Sequence, residues 1–384
     1  MNPERQARST LTRLCEPGSW AVHDAVEAEG AEEVVARLSA GKPVGRIPAT
    51  AVEGARLRAE QYDPAGDAAA LTRCGARLLC PGDDEWPEHR LTWFPNMKEA
   101  PPLALHVRGP AHLADVVERS VGIVGARAAS AYGVHVAGEL ALGLADRGWT
   151  VLSGAAYGVD GAAHSGALCS AEGAGTVAVL ASGVDVPYPK GHDRLITRIA
   201  EHGLLVSEVP PGSPPTRLRF LVRNRLIAAL SLGTVVVEAA VRSGSLTTAR
   251  QARELNRVVM AVPGPVTSGT AAGSNALLRG DALCVTRAAE VLEAVGAYGA
   301  DAAENQRAPE TARDALSETV RQVLDAVPVR DWAGESTIAR AAGLPALTVL
   351  QVLPPLEVAG LVERGMSGWR LTGLGAGRPA RAPS

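Results

Sequence analysis

The chain has 384 residues, with 38 Lys and Arg against 41 Asp and Glu and a formal net charge of −3. At roughly 150 residues per domain this is two or three domains, and 46% hydrophobic with 21% charged residues excludes a disordered chain. No apolar run reaches the roughly 20 residues of a membrane-spanning helix, and the start MNPERQARSTLTRL lacks the apolar segment of a secretory signal. A cytoplasmic protein is therefore expected. The five cysteines are scattered and form no C-x-x-C pair, so buried free thiols are expected and no metal or other cofactor. The cations divide into 35 Arg and three Lys (Lys42, Lys98, Lys190), a bias that a GC-rich coding sequence explains.

Residues 1–45 read as a small helical module, plain or of the helix-hairpin-helix kind, broken at Pro17-Gly18 and Gly30. Residues 46–117 read as a small connecting layer, with strands expected at Leu78-Leu79 and from Leu103 to Val107. From 118 to 298 short apolar runs alternate with helix-length segments: SVGIVGA, WTVLSG, TVAVLASG, GLLVSE, GTVVVEA and RVVMAVPG. That alternation predicts an α/β fold, a Rossmann-like doubly wound and mostly parallel sheet covered on both faces. Residues 299–314 are polar and aperiodic and read as a linker. Leu316, Val320, Val323, Leu324 and Val327 then recur at helical spacing. Three short helices and a strand-turn-strand over 315–373 fit a winged-helix-like domain, before a tail at 374–384.

In such sheets ligands sit at the carboxyl ends of the strands, near the point where strand order reverses. Those ends carry Gly125, Arg127 and Ser130, then Ser153-Gly154 with Asp160 and His164, then Tyr188-Pro189-Lys190, Ser207-Glu208, and Glu238 with Arg242-Ser243-Gly244. Small residues let backbone approach a ligand, and helix-start N–H groups suit anionic oxygens, so phosphate is the natural occupant. The turn GIVGARAAS is not G-x-G-x-x-G, and strand two ends without an acid for a ribose hydroxyl, which argues against a nicotinamide cofactor.

Asp160 and His164 lie on one helical face, where a capping Asp and a satisfied His suffice as explanation. Glu208 and Glu238 end neighbouring strands; they fit an acid/base pair, but binding of loop N–H groups is the simpler role. Ser243 reads as a helix-start anchor because no His is near it in sequence. Between residues 118 and 298 the balance is 16 Lys and Arg against 14 Asp and Glu. No acid falls between Glu208 and Glu238, where Arg217, Arg219, Arg223 and Arg225 bracket Phe220 and Asn224. A solvated helix face would intersperse acids, so a phosphate-tracking segment is expected there. Tyr132, Tyr157 and Tyr188 are the aromatics near strand ends, each with structural packing as its simpler role.

Seven ordered blocks carry a resemblance: VGIVGARAASAYG (121–133), LSGAAYGVDGAAHSGAL (152–168), GVDVPYPKGHDRL (183–195), LLVSEVPPG (204–212), FLVRNRLIAALS (220–231), VVVEAAVRSGSLTTARQA (235–252) and AVPGPVTSGTAAGSNALLRGDAL (261–283). In order and spacing they resemble the DNA-processing protein A (DprA/Smf) family, and the flanking CPGDDEWPEHRL and C-terminal segment extend the likeness over nearly the whole chain. The resemblance implies a non-enzymatic, dimerising single-stranded DNA-binding protein that protects incoming strands and helps load RecA in recombination and natural transformation. By block, Arg127 and Lys190 match the family's basic DNA-pocket residues, with Gly125, Ser130 and Asn224 in the same motifs; Arg223 and Arg225 join them from the acid-free stretch. Two departures stand out. The usual Gly-Ser-Arg turn is Gly-Ala-Arg here, and Pro354-Pro355 are expected to interrupt the recognition-type helix of the C-terminal domain. The alternative is a nucleotide-binding or nucleotide-processing enzyme of the nucleoside monophosphate hydrolase type, although its P-G-G-x-G-T-x-x-E turn is missing. A sequence-specific transcription regulator rests on the C-terminal segment alone.

Overall fold

The computed structural model describes residues 2–92, 94, 97–171, 175–297 and 315–375, in two compact units divided at about residue 304. The expected linker at 299–314 and nearly all of the tail lie outside the described residues.

The first unit opens with five helices: α1 (Pro3–Leu14), α2 (Trp20–Glu29), α3 (Ala31–Ser39), α4 (Ala49–Ala59) and α5 (Pro64–Cys74). Their starts follow the side chains that precede them. Asn2 accepts from the Glu4 N–H ahead of α1, Ser19 from Val22 ahead of α2, and Asp63 from Ala65 ahead of α5. Helices α1 to α4 close on one core of Leu11, Leu14, Val26, Val34, Leu38, Val44, Ile47, Val52 and Ala55. The helical module thus runs past residue 45, because α4 supplies part of the apolar face that α1 and α3 need.

The remainder is one sheet with its covering helices: β1 (Ala76–Leu79), α6 (Glu88–Leu91), β2 (Leu105–Arg108), α7 (Leu113–Glu118), β3 (Ser120–Val124), α8 (Ala131–Ala145), β4 (Thr150–Ser153), α9 (Val159–Ala167), β5 (Thr176–Leu180), α10 (Asp193–His202), β6 (Leu204–Ser207), α11 (Arg217–Leu230), β7 (Gly233–Val236), α12 (Gly244–Glu254), β8 (Val258–Ala261), α13 (Ala272–Arg279), β9 (Leu283–Cys284) and α14 (Ala288–Val295). Among the described residues the strand order is β1-β2-β6-β5-β4-β3-β7-β8-β9. Every pairing from β6 to β9 is parallel, while β2 pairs antiparallel with both β1 and β6. The strands at 76–79 and 105–108 therefore extend the main sheet and do not form a separate layer.

Alternation along the central strands explains their unbroken apolar character. Val121 and Ile123 point into a core with Leu140, Leu144, Trp149 and Val235, whereas Val124 and Val236 point into one with Leu113, Leu226, Ile227 and Leu230. Both faces are covered, so each strand residue meets a core. From β3 the chain winds outward through β4, β5 and β6, then returns to the other side of β3 as β7. Strand order reverses between β3 and β7, and their carboxyl ends form the crevice in which such sheets bind ligands. The cysteines are free as expected, but Cys169 and Cys284 are exposed where burial was expected.

The second unit contains α15 (Glu318–Ala326), α16 (Glu335–Ala342), α17 (Ala346–Val358) and a hairpin of β10 (Val362–Gly365) with β11 (Gly368–Leu371). Its core holds Val323, Leu324, Ile338, Val349, Leu353, Leu356 and Trp369. Here one expectation is corrected: Pro354 and Pro355 lie inside α17 and do not interrupt it. Both prolines face solvent while Val349, Leu353 and Leu356 anchor the opposite side, and the Pro355 carbonyl still accepts from Ala359 at 3.0 Å. Apolar anchoring on one face holds the helix despite two missing N–H donors. No single described helix is long and apolar enough to cross a membrane.

Two buried histidines tie elements together. His106 on β2 meets the Thr12 hydroxyl of α1 at 3.1 Å, and His164 on α9 meets the Thr176 hydroxyl of β5 at 2.8 Å. Burial pushes both down to about 3. Unfolded imidazoles bind protons below about pH 6.5, the folded ones only near pH 3, so the stability they confer is present above pH 6.5 and lost as pH falls towards 3. Urea melts should therefore show a loss of about 2 kcal/mol per histidine between pH 6.5 and 5, and His106→Gln should flatten the slope. Equal slopes in wild type and variant would show that His106 already titrates normally.

Candidate nucleic-acid interface

The carboxyl ends of β3 and β7 are locked together before any ligand is considered. Ala126 N–H donates to the Glu238 carbonyl at 2.7 Å, and the buried Glu238 carboxylate accepts from the Ser130 N–H at 2.8 Å and its hydroxyl at 2.7 Å. Ser130 also caps α8 by accepting from Gly133 N–H at 3.2 Å. Gly125 sits within this junction, where a Cβ would fall 2.5 Å from the Val159 side chain and 2.9 Å from the Glu238 carbonyl oxygen. Backbone approach at the turn therefore requires glycine.

Beside the junction lies an open cleft of about 490 Å³ between the β3 turn, α11 and the start of α12. Its rim carries the exposed Arg127 and Arg242 with Leu221, and its depth is lined by Val124, Ile227, Thr248, Asp160 and Arg223, all buried. The Arg127 guanidinium stands 4.8 Å from the Phe220 ring centroid, and Tyr188 packs against Phe220 with centroids 5.5 Å apart. A cation over an aromatic face at that range is held by the ring quadrupole. Lys190 is exposed and starts a short 3₁₀ turn two residues after Tyr188, outside the cleft lining. The Gly191 N–H donates to the Tyr157 hydroxyl, whose ring meets His192 edge-on at 4.8 Å.

At the cleft floor, Arg223 donates to the carbonyls of Gly154, at 2.9 Å, and of Val179, and to the Asn224 side-chain oxygen at 3.3 Å. Gly154 makes room for it, since a Cβ there would fall 2.4 Å from the guanidinium. Burial pushes the Arg223 guanidinium down to about 10, against the attraction of Asp160 and with the repulsion of Arg127. Burial likewise raises the Asp160 carboxyl, although Arg223 and the Ala156 N–H oppose the rise. Ser243 caps α12, accepting from Ser245 N–H at 3.3 Å, and the two hydroxyls lie 2.7 Å apart. No acid occupies the first turn of α12, so its N–H groups face the cleft with their positive end uncompensated.

The expected site residues thus separate. Arg127, Gly125, Arg223 and Asn224 come together at the cleft, and Lys190 adjoins it through Tyr188 and Phe220. Ser130 is absent from the lining; its hydroxyl is committed to Glu238 and Gly133. Arg225 is corrected: it is wholly buried, with its guanidinium on Glu208 through two 2.8 Å bonds and on the Ala100 carbonyl at 2.9 Å. Arg219 is paired with Glu16 at 3.0 Å. The acid-free stretch is therefore not free of acid in space. Glu208 and Glu238 hold Arg225 and Ser130 rather than each other, His164 meets Thr176 through Nδ1 while its buried Nε2 has no hydrogen-bond partner among the described residues, and Ser243 is a cap. Arg242, named in sequence as a strand-end residue, also lines the cleft, as do Ser245 and Thr248, whose signal in sequence was a helix start shortly after a strand end.

A doubly wound sheet with an open, cation-lined cleft at its switch point defines a Rossmann-like α/β protein suited to phosphate-bearing ligands. A family model described as DNA recombination-mediator protein A matches residues 77–296. The Mycobacterium tuberculosis H37Rv protein named DprA is 47% identical, across 99% of this chain and 97% of its own. Protein Smf of Escherichia coli K12 is 39% identical, covering 70% of this chain and 71% of Smf. The X-ray structure of DNA processing protein A from Streptococcus pneumoniae matches with a TM-score of 0.62 at 29% identity, covering 78% of this chain and 99% of that one. The chain belongs to the DNA recombination-mediator protein A family, and so to the DNA-processing recombination mediators.

The Arg225–Glu208 pair yields a direct test of its structural role. Arg225→Ala leaves a buried carboxylate without its counter-charge and should cost about 3–5 kcal/mol in urea denaturation. Arg225→Met with Glu208→Leu removes both charges, should cost far less, and should keep wild-type affinity for an oligonucleotide. A loss of affinity in the stable double variant would return Arg225 to the interface.

Proposed function

We propose that this chain is a single-stranded DNA-binding recombination mediator that protects incoming strands and helps load RecA, working as a homodimer in the cytoplasm. The observation that carries the reading is the Arg127–Phe220–Tyr188 row at the mouth of a cleft whose other cations are Arg223 and Arg242. Guanidiniums neutralise backbone phosphates, and aromatic faces accept any base that is free to unstack. Lys190, exposed two residues after Tyr188, adds a further cation on the same loop. A duplex keeps its bases inside the stack and cannot use Phe220 or Tyr188, so the preference falls to single strands. Backbone contacts carry no base identity, and sequence preference is slight.

The nucleoside monophosphate hydrolase reading needs a carboxylate aimed at the ligand. Glu238 is buried and occupied by Ser130, and Asp160 alone among acids lines the cleft. The RecA-loading role and the dimer rest on membership of a recombination-mediator family.

Fluorescence anisotropy at several salt concentrations tests the proposal. Single strands should bind more tightly than duplex at moderate salt, with a negative slope of log affinity on log salt. Arg127→Ala should weaken binding by about tenfold or more and make the slope shallower by about one unit. Phe220→Leu should weaken it without changing the slope, because stacking releases no counterions. Equal affinity for single and double strands would remove the proposed function.

A further inference from the structure

The lining of the cleft divides into an exposed rim and a buried floor, and the two are built for different parts of a ligand. At the rim stand Arg127, Arg242 and Leu221; at the floor Arg223 is 7% exposed, Thr248 1% and Ile227 1%. A strand passing over the rim reaches Arg127 and Phe220 without entering the depth. A second guanidinium is held at the bottom. Arg223 has no carboxylate partner within ion-pair distance among the described residues, and its acceptors are two carbonyls and an amide oxygen. Asp160 attracts it from the same floor without an ion-pair contact, which leaves one carboxylate against the three guanidiniums of the cleft, and a charge buried without a close counter-ion is costly.

The remaining floor groups also favour an anion. The α12 N-terminus opens onto the cleft with no acid in its first turn, and the Ser243 and Ser245 hydroxyls stand beside it. Three guanidiniums line the cleft against one carboxylate, Asp160, which accepts from the Ala156 N–H. A phosphodiester would have to enter and leave such a floor with a sugar on each side. A phosphomonoester enters with a single arm, carries up to two negative charges and presents three terminal oxygens.

We infer that the cleft floor is a phosphomonoester subsite, in which Arg223, the α12 N-terminus and the Ser245 hydroxyl hold a terminal phosphate while Arg127 and Phe220 hold the attached nucleotide at the rim. The inference rests on the single-strand reading for the location of the strand, and goes beyond it in giving the cleft a preference for phosphorylated ends. The same chemistry is offered by a strand terminus and by a free nucleoside monophosphate.

Four probes separate these cases: a circular single strand without ends, and linear oligothymidines with hydroxyl, 5′-phosphate or 3′-phosphate termini, each with and without thymidine 5′-monophosphate as competitor. A phosphate at one terminus should tighten binding about tenfold over the hydroxyl-ended oligomer at equal salt, beyond the small gain from added charge. In Arg223→Gln the ratio between phosphorylated and hydroxyl ends should fall to about one, and in Ser245→Ala it should fall several-fold, which covers the case in which Arg223→Gln does not fold. Displacement of the phosphorylated oligomer by the monophosphate, with the circle unaffected, supports the subsite and identifies free nucleotide as a second source. Equal affinity for all termini with the circle still bound overturns the subsite and leaves the single-strand reading standing. A ratio that persists in both variants overturns the assignment to the floor. Failure to bind the circle removes the single-strand reading, and direct binding of the monophosphate then decides the subsite alone.

Discussion

The site depends on where one carboxylate is placed. Glu238 ends β7 with its side chain across the junction to Ser130, so that the first turn after β3 and the start of α8 are fixed by two hydrogen bonds to a buried acid. The negative charge at the α8 N-terminus compensates that helix's dipole. With α8 closed by an internal anion, the α12 N-terminus is the helix start left open at the switch point, and the cleft forms on its side of the sheet. A family likeness to nucleotide-handling folds would make Glu238 a tempting catalytic group. Its hydrogen bonds place it in the scaffold instead.

Arg223 and Arg225 show how two residues of one motif diverge. On a helix they are about 200° apart, so they cannot share a face. Arg225 turns under α11 to Glu208 and Ala100, where it joins the end of β6 to the chain that leads into β2. Arg223 turns to the strand ends of β4 and β5 and reaches the cleft from below. The first guanidinium is paired with a bidentate carboxylate, whereas the second donates only to neutral oxygens and feels Asp160 without an ion-pair contact. That asymmetry separates an ion-paired cation from one that lines the cleft.

Much of this fold was legible because parallel strands buried on both faces cannot hide: their apolar runs are continuous and evenly spaced. Strands β3 to β8 fall where those runs stand, and Arg127 falls at the first strand end as the switch-point rule requires. The readings that shifted involved partners distant in sequence. Glu16 and Glu208 complete the pairs of Arg219 and Arg225 from outside the stretch between Glu208 and Glu238, and no local count of charges can reveal them. The β1–β2 pair, likewise, joins the main sheet through a single antiparallel contact with β6 that no periodicity announces. Lys190 is the converse case. Its chemistry singled it out from a chain of arginines, yet it stands beside the cleft, connected to it through the Tyr188–Phe220 contact.

The second unit has three helices and a hairpin, the elements expected of a winged-helix-like domain, but its third helix offers no cations. Helix α17, the third of the unit, carries no Lys or Arg over Ala346–Val358. Leu347, Leu350 and Val358 are exposed along it instead. In the hairpin, Arg364 lies over Trp369, and Arg370 is shared between Glu363 and the Trp332 ring. Affinity for nucleic acid comes mainly from neutralised phosphates, so a helix without cations brings little of it whatever its fold. Shape alone does not carry function from one protein to another. At the switch point of the first unit, by contrast, solvent-facing cations stand beside both backbone N–H donors and an aromatic ring, and it is there that the proposed interface is placed.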